Sequence, residues 1–285
     1  MKTKIFLLFL ACFLFCSGPA KADSISLVRV IEILKQEISL LQLLLSNMQS
    51  VSPVSAAAYL AVDLSNNDVL LEKNPNQTYS IASITKLMTS LIALENIDQE
   101  EEIVLTKDML SPLGQSPSLF AGLKIKAGDL IKAALIQSSN DAAESLSYFL
   151  GQKKFIKLMN DKAKELDMIS TIFYDVHGLN AANVSTVQDL VKLLFYIEKN
   201  QPEILNITKS NDFWLPDEDG VNLKFQNVNN FYPLTAFIGG KTGYLVEAKQ
   251  TLASIFNVQG KQIALVLLYS ANRQADVFTI LKKLE

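Results

Sequence analysis

Two residue types are nearly missing from this sequence and charge is scarce, and each shortage removes a class of chemistry. Of 285 residues only one is histidine, His177, which excludes a histidine-rich metal site and any mechanism that needs two imidazoles. Two are cysteine, Cys12 and Cys16, both in the first sixteen positions. Charge is also scarce, at 19% of residues, with 26 basic side chains against 29 acidic ones. A net charge of −3 gives no basic footprint for nucleic acid. The apolar run from Ile5 to Phe15 is too short to span a bilayer comfortably. What is present is aliphatic: 49% of the chain is hydrophobic, enough for one generous domain with a substantial core and little disorder.

The first segment reads as an address. Lys2 and Lys4 precede the apolar run, and Ser17-Gly18-Pro19 leads to the small-x-small exit Ala20-Lys21-Ala22. That order describes a secretory signal peptide over residues 1–22, cleaved after Ala22. A lipoprotein signal, with Leu10-Ala11 before an acylated Cys12, is the rival. Cleavage after Ala22 removes Lys2, Lys4 and Lys21 and no acidic residue, taking the net charge from −3 to −6. It also leaves no cysteine, so neither disulfides nor zinc thiolates are expected in the mature protein. The expected location is secreted or periplasmic, or the outer face of the cytoplasmic membrane.

Residues 23–51 carry a heptad. Leu27, Ile31, Leu34, Ile38, Leu41, Leu45 and Met48 alternate spacings of four and three. Ile at one seam position and Leu at the other favour a parallel two-stranded coiled coil. Ile33, Leu40, Leu43 and Leu44 widen the stripe, which equally suits a helix packed on its own domain. Through residues 24–49 the segment is thus a candidate for homodimer or membrane association. Ser50, Ser52 and Pro53 end the helix.

From residue 52 to 285 the pattern is that of a folded domain. Ala57–Leu64 and Val69–Leu71 read as strands joined by the hairpin signal Asn66-Asn67-Asp68. A helix is expected from Ser83 to Glu95, and residues 126–199 read as mainly helical, with turns at Gly151 and Gly178. Residues 206–230 are Asn-rich and read as loop. Three strand-like runs follow, Phe237–Thr242, Thr251–Val258 and Gln262–Tyr269, then a closing helix from Gln274 to Leu284. Strands at both ends with helices between predict an α/β (α+β) fold: one antiparallel sheet flanked by helices, with a helical insertion.

Three short motifs fall in a telling order. Ser83-Ile84-Thr85-Lys86 is the only Ser-x-x-Lys in the chain. On a helix the two ends share a face, so the amine reaches the hydroxyl. A hydroxyl needs a neighbouring base to attack, and lysine serves only when burial or nearby positive charge lowers its pKa. Ser138-Ser139-Asn140 is a Ser-x-Asn, weak alone because Ser270-Ala271-Asn272 is another. Lys241-Thr242-Gly243, after Gly239-Gly240, sits on an expected strand where glycine lets a ligand lie close to the backbone. Taken together in this order, the three form the signature of penicillin-binding proteins and serine β-lactamases.

Longer stretches carry the likeness further. Tyr79-Ser80-Ile81-Ala82-Ser83-Ile84-Thr85-Lys86-Leu87-Met88-Thr89 resembles the active-site segment of low-molecular-mass penicillin-binding proteins, the serine D-alanyl-D-alanine carboxypeptidases. Ser138 to Ala143, Ser185-Thr186 with Asp189-Leu190, and Gly239 to Tyr244 are similar as well. Asp175-Val176-His177-Gly178-Leu179 stands where that family usually has Asn-Pro-His-Gly-Leu. The resemblance runs from about Ala56 to the C-terminus and leaves the heptad outside.

The resemblance implies the β-lactamase/penicillin-binding-protein fold and hydrolysis of the terminal D-alanine of peptidoglycan stem peptides, with no metal or other cofactor. Ser83 is then the nucleophile, Lys86 its base and Ser138 the proton relay to the leaving amine. Asn140 meets the substrate backbone or supports Lys86, while Lys241 and Thr242 hold the terminal carboxylate. Gly243 and Tyr244 complete the strand beside the substrate, and the backbone N–H groups of Ser83 and Tyr244 make the oxyanion hole. β-Lactams are implied as inhibitors, and His177 is implied to be structural.

Departures from the family matter too. Leu245 replaces a Thr or Ser beside the carboxylate pocket, and Lys249 stands where Gly is common. The chain stops at Glu285, about where the catalytic domain is expected to end. Glu203-Ile204-Leu205-Asn206 is one residue short of the Glu-x-x-Leu-Asn of class A β-lactamases. The remaining alternatives are an endopeptidase cutting D-alanyl crosslinks and a non-catalytic penicillin-binding wall scaffold.

Overall fold

The run Ile263-Ala264-Leu265-Val266-Leu267-Leu268 offers no polar side chain to water because both faces of its strand are covered. The computed structural model describes residues 31–32, 34–36, 38–39, 53–112, 114, 119–216 and 222–285. In it this run is the centre of β11 (Lys261–Ser270), the middle strand of a five-stranded sheet. The sheet order is β2 (Asp68–Lys73), β1 (Ala58–Asp63), β11, β10 (Lys249–Val258) and β9 (Phe237–Leu245), every neighbouring pair antiparallel. Side chains alternate across it. Ile263, Leu265 and Leu267 pack with Val277 and Ile280 of the closing helix, whereas Ala264, Val266 and Leu268 join the larger core under the helical insertion.

That insertion contains helices α1 (Thr85–Asn96), α2 (Ala127–Ile136), α3 (Asn140–Leu150), α4 (Gln152–Glu165), α5 (Val187–Asn200) and α6 (Glu203–Lys209); α7 (Arg273–Leu284) closes the chain. The expected α+β architecture, hairpin β1–β2, three late strands and final helix are all present. Asn67 at the hairpin turn has φ 62, the left-handed conformation that asparagine tolerates. Asp276 of α7 is buried and accepts from the Ser55 backbone N–H at 2.6 Å, Ser55 Oγ at 2.8 Å and Ser270 Oγ at 2.6 Å. These bonds tie the start of the domain to the helix that carries Arg273.

Two expectations need correction. Residues 126–199 are not helical throughout: from Leu166 to Thr186 the backbone is irregular except for β6 (Val184–Ser185), which pairs with β3 (Tyr79–Ser80). Side chains there replace a helix ladder, since Asn183 Oδ1 accepts from the backbone N–H groups of Tyr174 and Asp175. Residues 206–230 are not simply loop either. They hold the end of α6 and the hairpin β7 (Asp212–Pro216) and β8 (Asn222–Gln226), closed by Phe213 stacked on Phe225 at 4.5 Å. A further small hairpin, β4 (Glu102–Val104) with β5 (Lys124–Lys126), had no clear signal in the sequence.

The chain divides into residues 1–52 and 53–285. The signal peptide lies outside the described residues, as does most of the heptad. Within the latter, 31–32, 34–36 and 38–39 are helical, and Ile31, Leu34 and Ile38 are 46%, 49% and 53% exposed.

Candidate active site

The nucleophile candidate is placed by a short 3₁₀ turn, Ala82–Ile84, that runs directly into α1. Ala82 has φ 49, a strained value for a residue with a Cβ, and neighbours hold it there. Thr251 Oγ1 of β10 donates to the Ile81 carbonyl at 3.1 Å, and the Ile81 N–H donates to the Asn183 carbonyl at 3.0 Å. Gly178 presses on the same turn: a Cβ on it would lie 2.0 Å from the Ala82 carbonyl oxygen. From the other side, a Cβ on Gly243 would lie 2.8 Å from the Ser83 nitrogen. The turn is therefore clamped between the His177 loop and β9, and only glycine fits at either jaw.

Lys86, one helical turn on, is fully buried. Its Nζ lies 3.0 Å from Ser83 Oγ, 2.7 Å from Asn140 Oδ1 and 2.6 Å from the His177 carbonyl oxygen. As an ammonium it donates to all three. As a neutral amine it still donates to Asn140 and His177, and its lone pair then faces the Ser83 hydroxyl, which donates to it. Burial and then the charge of Lys241 hold its pKa well below the ordinary lysine value, and the Asp175 carboxylate pulls the other way. Lys86 has a partner set and an electrostatic setting suited to a base.

Ser138 and Asn140 come from the junction of α2 and α3. Ser139 caps α3, its Oγ accepting from the Ala142 N–H at 3.0 Å. Ser138, with φ 60, is the kink that lets one helix end and the next begin, and it turns its hydroxyl to Lys241 Nζ at 2.9 Å. Lys241 lies on β9, the edge strand of the sheet, and is 1% exposed. Burial, then the charge of Arg273, brings its pKa down to about 7. Thr242 is buried beside it, its carbonyl accepting from Lys241 Nζ at 3.1 Å, while Tyr244 is 65% exposed. All eight residues singled out from the sequence (Ser83, Lys86, Ser138, Asn140, Lys241, Thr242, Gly243 and Tyr244) thus lie on the 3₁₀ turn, the start of α1, the α2–α3 junction and β9. Hydrogen bonds join them as Ser83–Lys86–Asn140 and Ser138–Lys241.

The profile of the D-alanyl-D-alanine carboxypeptidase family matches residues 46–272. The chain belongs to that family. A D-alanyl-D-alanine endopeptidase of Haemophilus influenzae is 34% identical over 206 residues, which is 70% of each chain. A D-alanyl-D-alanine carboxypeptidase of Mycobacterium tuberculosis is 28% identical over 222 residues, 75% of each chain. The crystal structure of a D-alanyl-D-alanine carboxypeptidase from M. tuberculosis superposes with a TM-score of 0.75 at 25% identity, covering 81% of this chain and 92% of that one. The fold expected from the sequence, that of the penicillin-binding proteins, is therefore the fold of this family member.

Two members of the site went unnoticed in the sequence. Arg273, at the start of α7, donates from Nη1 to the Gly243 carbonyl at 2.9 Å and the Thr251 carbonyl at 3.0 Å, bracing β9 from behind. Burial brings its pKa down to about 10, so it stays a cation at neutral pH. Its rarity was the available signal: Arg29 and Arg273 are the only arginines in the chain. The second is the His177 backbone carbonyl, invisible to reasoning from side chains. Glu203-Ile204-Leu205-Asn206 belongs to α6, where Leu205 is buried so tightly against Gly239 that a Cβ there would meet it at 2.6 Å. Its job is packing. Among the described residues no cluster of three His, Cys, Asp or Glu is arranged to hold a metal, and no helix is long and apolar enough to cross a membrane.

Proposed function

We propose that Ser83 is the acylated nucleophile of this serine D-alanyl-D-alanine carboxypeptidase and Lys86 its general base. The observation that carries this is the buried Lys86 amine, 3.0 Å from Ser83 Oγ, with Asn140 and His177 accepting its other hydrogens. Ser83 Oγ attacks the carbonyl between the two terminal D-alanines of a stem peptide as Lys86 takes its proton. The backbone N–H groups of Ser83 and Tyr244 receive the developing oxyanion. Collapse breaks the C–N bond, Ser138 passes a proton to the leaving amine, and water then hydrolyses the acyl-enzyme. Lys241 and Thr242, with Gly243 keeping the strand close, hold the terminal carboxylate, and Arg273 adds positive potential behind them. β-Lactams acylate the same oxygen.

Fluorescent penicillin tests this directly. The wild type becomes covalently labelled and Ser83→Ala does not; an unlabelled wild type, or a labelled Ser83→Ala, overturns the assignment. A second reading, cleavage of D-alanyl crosslinks, is favoured by the Haemophilus relative that carries the endopeptidase name and by Leu245 beside the carboxylate pocket. Release of D-alanine from a pentapeptide, measured beside cleavage of a crosslinked dimer, separates the two.

The heptad and the leader make this an exported, cell-wall-directed enzyme in our reading, with residues 1–22 removed and 23–51 forming a helical stalk that pairs in parallel. The alternation of Ile31, Ile38 and Leu45 with Leu27, Leu34, Leu41 and Met48 supports pairing. Light scattering on residues 23–285 is expected to give a dimer; a monomer refutes it.

A further inference from the structure

The single histidine lies between two carboxylates, one side of the loop that touches Lys86. His177 Nδ1 is 3.2 Å from Asp175 Oδ2, and Nε2 is 3.7 Å from Glu144 Oε2 on α3. All three side chains are largely withdrawn from water, and Gln152 donates to the other Glu144 oxygen. The same Asp175 carboxylate organises the loop. Oδ1 accepts from the Gly178 N–H at 2.6 Å, the His177 N–H at 3.2 Å and Asn183 Nδ2 at 2.8 Å, and Oδ2 accepts from the Asn180 N–H at 2.6 Å. Holding those N–H groups aims the His177 carbonyl at Lys86 Nζ and seats Gly178 on the Ala82 carbonyl.

His177 Nδ1 has two partners that exclude each other. In the neutral ring it accepts from the Leu179 N–H at 3.2 Å, which requires that Nδ1 carry no proton. When the ring takes a second proton from solvent, Nδ1–H points instead at Asp175 Oδ2, at the same distance of 3.2 Å, and Nε2–H faces Glu144. Protonation therefore exchanges a bond within the loop for an ion pair with the carboxylate that organises it. It also offsets the Asp175 charge, which acts on the Lys86 amine.

We propose that Asp175 is a positioning residue for Lys86: it acts through the His177 carbonyl, and a proton on His177 Nδ1 offsets its charge without removing it. The ionisable groups facing His177 are Asp175 on its own loop, Glu144 on α3 and, across its carbonyl, Lys86 on α1. Electrostatics agrees with the geometry. Burial works to raise the Asp175 pKa, but the hydrogen bond and charge of His177 and the N–H groups of Asn180 and Gly178 outweigh it and keep the carboxyl ionised. Burial raises that of Glu144, with the His177 charge opposing.

The inference rests on Ser83 and Lys86 acting as proposed, and its test separates the two. The second-order rate of acylation by fluorescent penicillin is followed against pH for the wild type, Asp175→Asn and His177→Gln, with thermal melts confirming that each is folded. Acylation falls on the acid side as Lys86 gains its proton. Asp175→Asn removes a negative charge near that ammonium, so its acid limb moves to lower pH, by roughly 0.5–1 unit on the scale of one partly screened charge. His177→Gln removes the imidazolium that offsets Asp175 in acid, so its limb moves to higher pH. Shifts of opposite sign are the signature, because a merely structural loss lowers the rate by one factor at every pH. Profiles that superimpose on the wild type after scaling, or that move in the same direction, overturn the proposal and leave Ser83 and Lys86 intact. If one variant does not fold, the sign of the other decides. A wild type that is not acylated at all sinks the underlying reading instead.

Discussion

Substituting Gly243 by alanine adds one methyl group where β9 meets the nucleophile turn. The backbone of Gly243 is not in the left-handed region, so alanine brings no torsional strain and its effect is steric. The new Cβ would stand 2.6 Å from Thr251 Oγ1, 2.8 Å from the Ser83 nitrogen and 3.0 Å from Ala82 Cβ, where ordinary contact begins at 3.4 Å. Relief requires the turn and strand to part by roughly half an ångström or more, because the Ser83 nitrogen is backbone and cannot swing away. That nitrogen is a proposed oxyanion donor. Losing such a donor costs about 100- to 1,000-fold, and a 1 Å misplacement about 100-fold, so acylation by fluorescent penicillin is expected to fall by about 10- to 100-fold. Overpacking costs about 1–3 kcal/mol, so the protein still folds, melting a few degrees lower. Gly260→Ala is the control: its φ of 83 strains an alanine, but nothing lies within 4 Å of the new Cβ. It is expected to lose about 1 kcal/mol with acylation unchanged. A Gly243→Ala enzyme that acylates within about threefold of the wild type, at a temperature well below its melt, refutes the clamp.

Other consequences follow from the same geometry. Lys241, with a pKa of about 7, loses its charge in the free enzyme as pH climbs through that value. KM for a peptide ending in a free carboxylate is therefore expected to rise above neutrality, up to about tenfold per unit, while that of its carboxamide analogue stays flat; parallel profiles contradict the carboxylate role. Thr89 Oγ1 is buried and donates to the Val176 carbonyl at 2.5 Å, beside the His177 loop. Thr89→Val leaves that carbonyl unmet and is expected to cost about 1–3 kcal/mol in urea denaturation. Lys249 has φ 49 at the β9–β10 turn, and its Nζ sits 4.2 Å from the centre of the Tyr269 ring. Lys249→Gly relieves the backbone but loses the cation–π contact, two effects of similar size, so stability is expected to stay within about 1 kcal/mol. A large loss would mean that Lys249 does more than fill the turn.

Much of the molecule is written in local pattern, which is why it could be read early. The strands β1, β10 and β11 carry apolar runs bounded by turn residues, and Ser83 with Lys86 needs only helical spacing to meet. The motif residues announce themselves by type and order. The family match over residues 46–272 agrees with that reading. What pattern did not reveal lies where side chains replace backbone ladders. The stretch from Leu166 to Thr186 lies within the region read as mainly helical, yet Asn183 and Asp175 hold its backbone in an irregular path. The β7–β8 hairpin was hidden among asparagines because its stability comes from a stacked aromatic pair.

The near absence of histidine and cysteine already required that a hydrolase here take its base from elsewhere, and Ser-x-x-Lys named the lysine. Sequence alone thus determined the fold class and the order of the motifs, and it pointed to the reacting groups proposed above. It did not determine that Lys86 would be buried, that a backbone carbonyl from His177 would take one of its hydrogens, or that Arg273 would arrive behind β9 from the last helix. Those depend on contacts between residues 22 to 91 positions apart along the chain, and their effect is electrostatic. A lysine becomes a base only through the desolvation and neighbouring charge that tertiary packing supplies.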